Sequence, residues 1–178
     1  MTSMRSVIAV AALSALAAPA LAHAPRTTQA NLLDRIQIED FLVDYYQPLG
    51  GGAQESLADF FTEDGVIDVN GRVYNGHAGI TQAYKDAGSA NNGNATFKGK
   101  FTMLMNNPRI EIKGNTATAD VIWTGVVNTK VTDSPHFAEQ GKEHDDLVKV
   151  NGQWFIKKRI ITSTGGLAPF FQATYKDR

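Results

Sequence analysis

Apolar side chains recur with helical spacing near the start of the chain, over residues 33–49. Five of them fall at i, i+3, i+4, i+7 and i+11, on one side of an α-helix: Ile38, Phe41, Leu42, Tyr45 and Leu49. The glycine run at 50–52 ends this helix. Residues 54–61 and 77–87 predict two further helices. The first half of the chain is therefore predicted to supply about three helices.

The second half of the chain changes to strand-like runs. We predict four long strands, over residues 97–113, 115–130, 145–150 and 153–161. A small hairpin is predicted before them, over residues 66–74. The polar stretches 62–65 and 131–142 are predicted to be a turn and a loop. Helices followed by consecutive strands are typical of an α+β domain, in which the helices pack on one face of a curved antiparallel or mixed sheet.

Local turn signals support this order of elements. The pairs Asn70-Gly71 and Asn151-Gly152 each stand between two strand-like runs. Such pairs favour type I′ hairpin turns, because both central positions need a positive φ. Pro108 cannot donate a hydrogen bond to a neighbouring strand, so it predicts a bend or an edge in the first long strand.

The first residues have the pattern of an export signal. One basic residue, Arg5, precedes an apolar run at 7–18 that is too short to span a bilayer, and small residues follow at 20 and 22. We expect a cleaved signal peptide, a periplasmic or secreted protein, and no membrane attachment after cleavage. The predicted division of the chain is a signal peptide at 1–22, an N-terminal arm at 23–30, one domain at 31–163 and a tail at 164–178.

The amino-acid composition excludes several kinds of functional site. The chain has no cysteine, which excludes disulfides, thiolate metal sites and cysteine nucleophiles. Its formal net charge is −1, and no basic stripe with interleaved aromatic residues occurs, so nucleic acid is not an expected partner. Histidine pairs with metal-ligand spacing are also missing, and we expect neither a metal nor a cofactor.

Several segments together resemble a known family. They are FLVDYY in the first helix, LADFFTEDGVID after it, YNGHAGI, NNPRIEIKGNTATADVIWTGVV and the closing DDLVKVNGQWFIKKR. Their order and spacing resemble the SnoaL-like branch of the nuclear-transport-factor-like superfamily. The resemblance implies a cone-shaped, strongly curved sheet around an apolar pocket, with about three helices on its concave face. It also implies cofactor-free enzymes that use carboxylate, histidine and tyrosine side chains, and a possible homodimer formed through the exposed sheet face.

Two positions depart from the pattern of the dehydratases in this branch. Their usual aspartate after the first helix falls near Ala53 or Gln54 here, and the segment Thr102-Met103-Leu104 stands where they often carry a histidine. An enzyme built on this chain must therefore use other residues for acid-base chemistry.

Four residues are candidates for that chemistry. Tyr45 lies on the inward stripe of the first helix and matches the family's pocket tyrosine, although it is equally well explained as a core residue. Asp68 lies in a short strand, and we expect it to be solvated unless the pocket lies on its side. His144 and Asp145 are neighbours in a strand and must face opposite sides. We expect His144 to face the pocket and to transfer protons, against the alternative of a surface histidine.

A second group of residues is predicted to line the pocket and bind substrate. It consists of Phe101, Met103, Trp123, Tyr74 and the family arginine Arg159. The expected function is a cofactor-independent lyase, dehydratase or isomerase that acts on a hydrophobic, including aromatic, small molecule. The alternative is a periplasmic ligand-binding or interaction domain with the same pocket and no catalysis.

Overall fold

The computed structural model describes residues 26–50, 54–92, 100–128, 130 and 132–176. The predictions made for the signal peptide, for the glycines at 51–52 and for the start of the first long strand lie outside the described residues.

Within these residues the chain forms two α-helices and one six-stranded sheet. The helices are α1 (Leu32–Tyr46) and α2 (Gly76–Asn92), and the strands are β1 (Phe61–Val69), β2 (Arg72–Asn75), β3 (Lys100–Lys113), β4 (Thr116–Asn128), β5 (His136–Val150) and β6 (Gln153–Gly165). The strand order is β2-β1-β6-β5-β4-β3. Strands β1 and β6 are parallel and the other neighbours are antiparallel, so the sheet is mixed.

The prediction of three helices is wrong for the described residues, which hold two α-helices. The segment Gln54–Phe60 is a 3₁₀ helix, and β1 begins directly after it at Phe61. A segment this short cannot repay the cost of starting an α-helix in isolation, so the neighbouring sheet decides its form. No helix in the described ranges is long and apolar enough to cross a membrane.

Two strands extend into segments that were predicted to be a turn and a loop. Strand β1 includes residues 62–65, expected to be a turn, and β5 begins at His136, inside the expected loop. Polar residues predominate in both extensions, so they lack the side-chain pattern of a strand. Residues 136, 137 and 139–142 pair with β4, whereas residues 62–65 lie where the pairing of β1 with β6 shifts register.

The turn predictions are confirmed. Asn70 and Gly71 have φ angles of 51° and 87°, and Asn151 and Gly152 have φ angles of 50° and 85°. The bend near Pro108 is also present, because the pairing of β3 with β4 shifts register between Asn106 and Arg109.

The core lies between the two helices and one face of the sheet, which we call the inner face; the opposite side is the outer face. From α1 the core takes Ile38, Leu42 and Tyr45. The segment after β6 also contributes, since Phe171 is fully buried and Arg72 donates hydrogen bonds of 3.0 and 3.1 Å to the carbonyl oxygen of Phe170. The C-terminal segment is thus packed on the domain.

Candidate active site

Alternation along β5 decides which polar side chains enter the core. Asp145 is 0% exposed and Glu143 is 4% exposed, on the same face as the buried Leu147. The side chain of His144 is 43% exposed and lies on the outer face. The prediction that His144 faces the interior is therefore wrong, because strand alternation places Leu147 inward and Asp145 with it.

Asp145 forms a buried ion pair with Arg159, its register partner on β6. Arg159 Nε donates to Asp145 Oδ1 at 2.6 Å, and Arg159 Nη2 donates to Oδ2 at 2.7 Å. Both side chains are 0% exposed. This two-point contact fixes the guanidinium plane and occupies both oxygens of the carboxylate. Asp145 thus positions Arg159.

Tyr45 supports the same guanidinium group from α1. The Arg159 Cζ atom lies 3.8 Å from the centroid of the Tyr45 ring, and the ring is itself packed edge-on against Tyr46 and Phe60. A cation stacked on an aromatic face is stabilised by the ring's quadrupole. The contact that the structure gives Tyr45 with this cluster is therefore made by its ring face.

Replacing Tyr45 separates the role of the ring from that of the hydroxyl. Tyr45→Phe keeps the ring under Arg159, and we expect less than about 1 kcal/mol of lost stability, whereas Tyr45→Leu removes the stacking and should cost about 2–4 kcal/mol. Urea denaturation of the two variants measures the difference. Equal destabilisation by both variants would show that the hydroxyl makes the important contact.

Glu143 is the titratable group with the most altered environment. Its Oε1 atom lies 3.3 Å from Arg159 Nη2, which is already bonded to Asp145. Burial raises the pKa of the Glu143 carboxyl to about 8, the charge of Asp145 adds to this rise, and Arg159 opposes it. A pKa in this range suits an acid-base catalyst that works near neutral pH.

Incompletely hydrogen-bonded polar atoms surround this carboxyl. Among the described residues, four buried atoms of the cluster make no hydrogen bond of good geometry: Glu143 Oε1, Tyr46 Oη, Tyr84 Oη and Arg159 Nη1. They do interact with one another, since Tyr46 contacts Glu143 and Tyr84 contacts Arg159. Burial raises the pKa of both tyrosines, so their hydroxyls stay protonated. A buried polar group without a full hydrogen bond costs free energy, so a polar ligand group or water that completed these bonds would be stabilised here.

The other acid-base candidates lie away from this cluster. His144 Nδ1 is 2.6 Å from Asp120 Oδ1 on the outer face, and this hydrogen bond raises the pKa of the imidazole. Asp68 was expected to be solvated, but it is 8% exposed and accepts a 2.6 Å hydrogen bond from the Gly71 backbone N–H. Its carboxylate holds the turn between β1 and β2.

The predicted substrate-binding residues fall into four places. Arg159 belongs to the buried cluster, while Phe101 and Met103 are partly buried on β3. Trp123 is buried against β5, where a Cβ atom at Gly141 would lie 2.3 Å from its ring. Tyr74 Oη donates to Asp86 Oδ2 at 2.9 Å, and burial together with Asp86 raises the pKa of this tyrosine to about 12. Their contact with a substrate stays a prediction.

Sequence reasoning missed Glu143, Tyr46 and Tyr84. A signal for Glu143 was present, because any strand that directs Asp145 inward directs Glu143 inward as well. Tyr46 follows Tyr45 on α1 and lies outside the inward stripe, and Tyr84 lies within the helix predicted at 77–87.

A mixed, curved six-stranded sheet with two helices over one face, enclosing a polar cluster, defines a protein of the nuclear-transport-factor-like fold. The model of the SnoaL-like domain family matches residues 30–160, and the chain belongs to this family.

Solved structures share the fold at low sequence identity. A protein named "Putative Scytalone Dehydratase" from Novosphingobium aromaticivorans is 23% identical, with 78% of this chain and 89% of that chain covered and a TM-score of 0.61. ActVI-ORFA from Streptomyces coelicolor is 20% identical, with 73% and 97% covered and a TM-score of 0.61. A Nostoc punctiforme protein of unknown function with a cystatin-like fold is 21% identical, with 78% and 96% covered and a TM-score of 0.63. No curated protein sequence matches the chain.

Proposed function

We propose that this protein is a cofactor-independent acid-base enzyme, a lyase, dehydratase or isomerase, that acts on a hydrophobic small molecule. The family supports small-molecule chemistry of the dehydratase and cyclase kind. The observation that carries the proposal is Glu143, a buried carboxyl with a pKa raised to about 8 beside the incompletely hydrogen-bonded donors of Tyr46, Tyr84 and Arg159. Groups with such altered pKa values concentrate at catalytic sites.

The chemistry follows from the protonation states. Glu143 as a carboxylate removes a proton from a substrate carbon, and as a carboxylic acid it returns that proton to another atom. Return to a second carbon completes an isomerisation, and return to a leaving hydroxyl completes a dehydration. The substrate oxygen that gains negative charge is received by Arg159 Nη1 and by a tyrosine hydroxyl, which are already fixed in position.

This assignment accounts for the departures of the chain from the dehydratase pattern. The aspartate and histidine expected near Ala53 and Thr102 are replaced here by other residues. Glu143 supplies a titrating group from β5 instead, and Arg159 supplies a fixed positive charge from β6.

Proton exchange in heavy water tests the proposal most directly, because it requires only binding and proton abstraction. The dialysed protein is incubated with a panel of aromatic and polycyclic ketones, and NMR follows the loss of the proton on the carbon next to the carbonyl. We expect exchange above the buffer rate for at least one compound. Binding of panel members without exchange for any of them would contradict catalysis.

The rival function is a ligand-binding domain without chemistry. The burial of Glu143 and Arg159 favours it, since a substrate would have to reach both side chains before it could react. It predicts binding in the same panel with no exchange at any pH between 6 and 9.

We also propose that residues 1–22 are removed during export to the periplasm or the medium. The basic Arg5, the apolar run at 7–18 and the small residues at 20 and 22 support this. Mass spectrometry of the protein from the periplasm or the medium should give a chain that starts at His23. A full-length chain found only in the cytoplasm would exclude it.

A homodimer through the outer face is a further part of the proposal. Leu104 and Ile122 are 45% and 47% exposed on the strands β3 and β4. Light scattering after gel filtration should give twice the mass of the mature chain, and Ile122→Lys should halve it. A monomer at all concentrations would exclude the dimer.

A further inference from the structure

Glu139 is a third carboxyl on the inner face of β5, beyond the acid-base cluster. It pairs in register with Gly125 of β4, and it lies four residues from Glu143, about 13 Å along a strand. Unlike Glu143, it is only partly buried and can be reached from outside. On this face Asp145 and Glu143 pair with Arg159, and Lys149 pairs with Asp34, whereas Glu139 has no ion pair among the described residues.

Two glycines make room for this side chain. A Cβ atom at Gly125 would lie 2.5 Å from Glu139 Cγ, and one at Gly166 would lie 2.2 Å from Glu139 Cβ. Either distance is far inside van der Waals contact, so any larger residue at these positions would displace Glu139. The carboxyl is thus seated between β4 and the segment that follows β6.

Apolar side chains stand beside the carboxyl. The same Cβ position at Gly125 would lie 2.7 Å from the Phe101 ring, so Phe101 and Glu139 are neighbours over Gly125. Met103 is the register partner of Gly125 on β3. Both β3 side chains are partly buried, and together they give an apolar surface next to one acidic group.

The electrostatic environment of Glu139 favours a positively charged ligand. Burial alone raises its pKa to about 7, and no charge of a described residue counteracts this. A cation placed next to the carboxylate would remove that cost, and an adjacent aromatic ring stabilises a cation further. Asp145 is paired with Arg159, and Glu143 keeps its proton up to a pKa of about 8, so Glu139 is the carboxyl of this face that a positively charged ligand would balance.

We propose that Glu139, Phe101 and Met103 form a subsite for a hydrophobic amine, in which the protonated nitrogen pairs with Glu139 and the apolar body packs on the two β3 side chains. This subsite would deepen the proposed function. The subsite rests on the proposed function only in one respect, which is that the same molecule is expected to extend towards Glu143.

Matched probes test the subsite. Calorimetry at pH 8 compares 2-naphthylmethylamine with its neutral counterpart 2-naphthylmethanol on the complete mature protein. The amine should bind about tenfold more tightly to the wild type. Glu139→Gln should reduce this preference to about twofold or less, whereas Glu111→Gln, an exposed carboxylate of β3 paired with Arg109, should leave it unchanged. Phe101→Leu should weaken the amine more than the alcohol.

Equal binding of the two probes to the wild type would overturn the subsite. So would a failure of both probes to bind, or a preference that survives Glu139→Gln. Circular dichroism melts confirm that each variant is folded, and Glu139→Asp, which keeps the charge, should retain part of the preference. Loss of proton exchange in Glu143→Gln with an intact amine preference supports both proposals. An amine preference without any exchange overturns the proposed function alone, and exchange without the preference overturns the subsite alone.

Discussion

Glu143→Gln should lower turnover by about 10²–10⁴-fold while the fold is kept, because the amide has the size of the carboxyl but cannot carry the proton. Glu143 is the described carboxyl whose pKa is raised to about 8 within the buried cluster, beside Tyr46 and Arg159. Steady-state rates on the substrate found in the exchange panel measure the effect. Glu111→Gln, which alters an exposed carboxylate, is the matched control and should keep wild-type turnover.

The pH profile identifies the form of Glu143 that limits the reaction. If proton donation to the leaving group is slowest, turnover falls as pH rises through about 8, because the carboxylic acid is then lost. If proton removal from carbon is slowest, turnover rises through the same range. A profile that is flat between pH 6 and 9 in the wild type would contradict the assignment of Glu143.

Stability should respond to the same substitution with a definite sign. The native pKa of Glu143 is raised to about 8 from 4.5, so between these values the folded state holds a proton that the unfolded state releases. Stability then decreases as pH rises from about 4.5 to 8. The glutamine variant lacks this term, and its melting temperature should gain on the wild type from pH 5 to pH 8. A constant difference would show that Glu143 is ionised in the folded protein throughout.

The parts of the fold that could be predicted are those determined by residues close together in the sequence. The stripe on α1 has a helical period, and the pairs Asn70-Gly71 and Asn151-Gly152 have the positive φ angles that their turns need. The bend near Pro108 follows from a missing backbone donor. Each of these features depends on residues close together in the chain.

The parts that were not predictable depend on pairing between distant segments. Residues 136–142 are mostly polar, and they become part of a strand because β4 lies beside them. Residues 62–65 lie where the pairing of β1 with β6 shifts register, directly after the 3₁₀ helix Gln54–Phe60. Propensity is a weak guide wherever the neighbour across the sheet supplies the hydrogen bonds.

The direction in which one side chain of β5 points determines which residues form the candidate site. The sequence establishes that His144 and Asp145 face opposite sides, but not which one faces inward. The inward direction of Asp145 brings Glu143 and Glu139 to the same face, and it pairs Asp145 with Arg159. Asp145 faces inward because Leu147, on the same side of β5, is buried in the core and because Asp145 is the register partner of Arg159 on β6. The residues next to His144 and Asp145 in the sequence do not indicate this direction.

Asp145→Ala should destabilise the protein by about 3–5 kcal/mol, because it leaves Arg159 charged and buried with only Glu143 nearby. Both side chains are 0% exposed, so the substitution removes two hydrogen bonds from a guanidinium group that is withdrawn from solvent. Urea denaturation measures the loss. Arg109→Ala is the control, because it breaks an exposed ion pair with Glu111 and should cost less than about 1 kcal/mol.

A double replacement separates the free-energy cost of leaving Arg159 unpaired from the net contribution of the Asp145–Arg159 ion pair to stability. Asp145→Leu combined with Arg159→Met removes both charges and fills similar volume, so it should be more stable than Asp145→Ala. It should also abolish turnover, since Arg159 Nη1 no longer receives the substrate oxygen. If the double variant keeps its activity, Arg159 is only a structural partner of Asp145, and the oxygen site must be made by Tyr46 and Tyr84 alone.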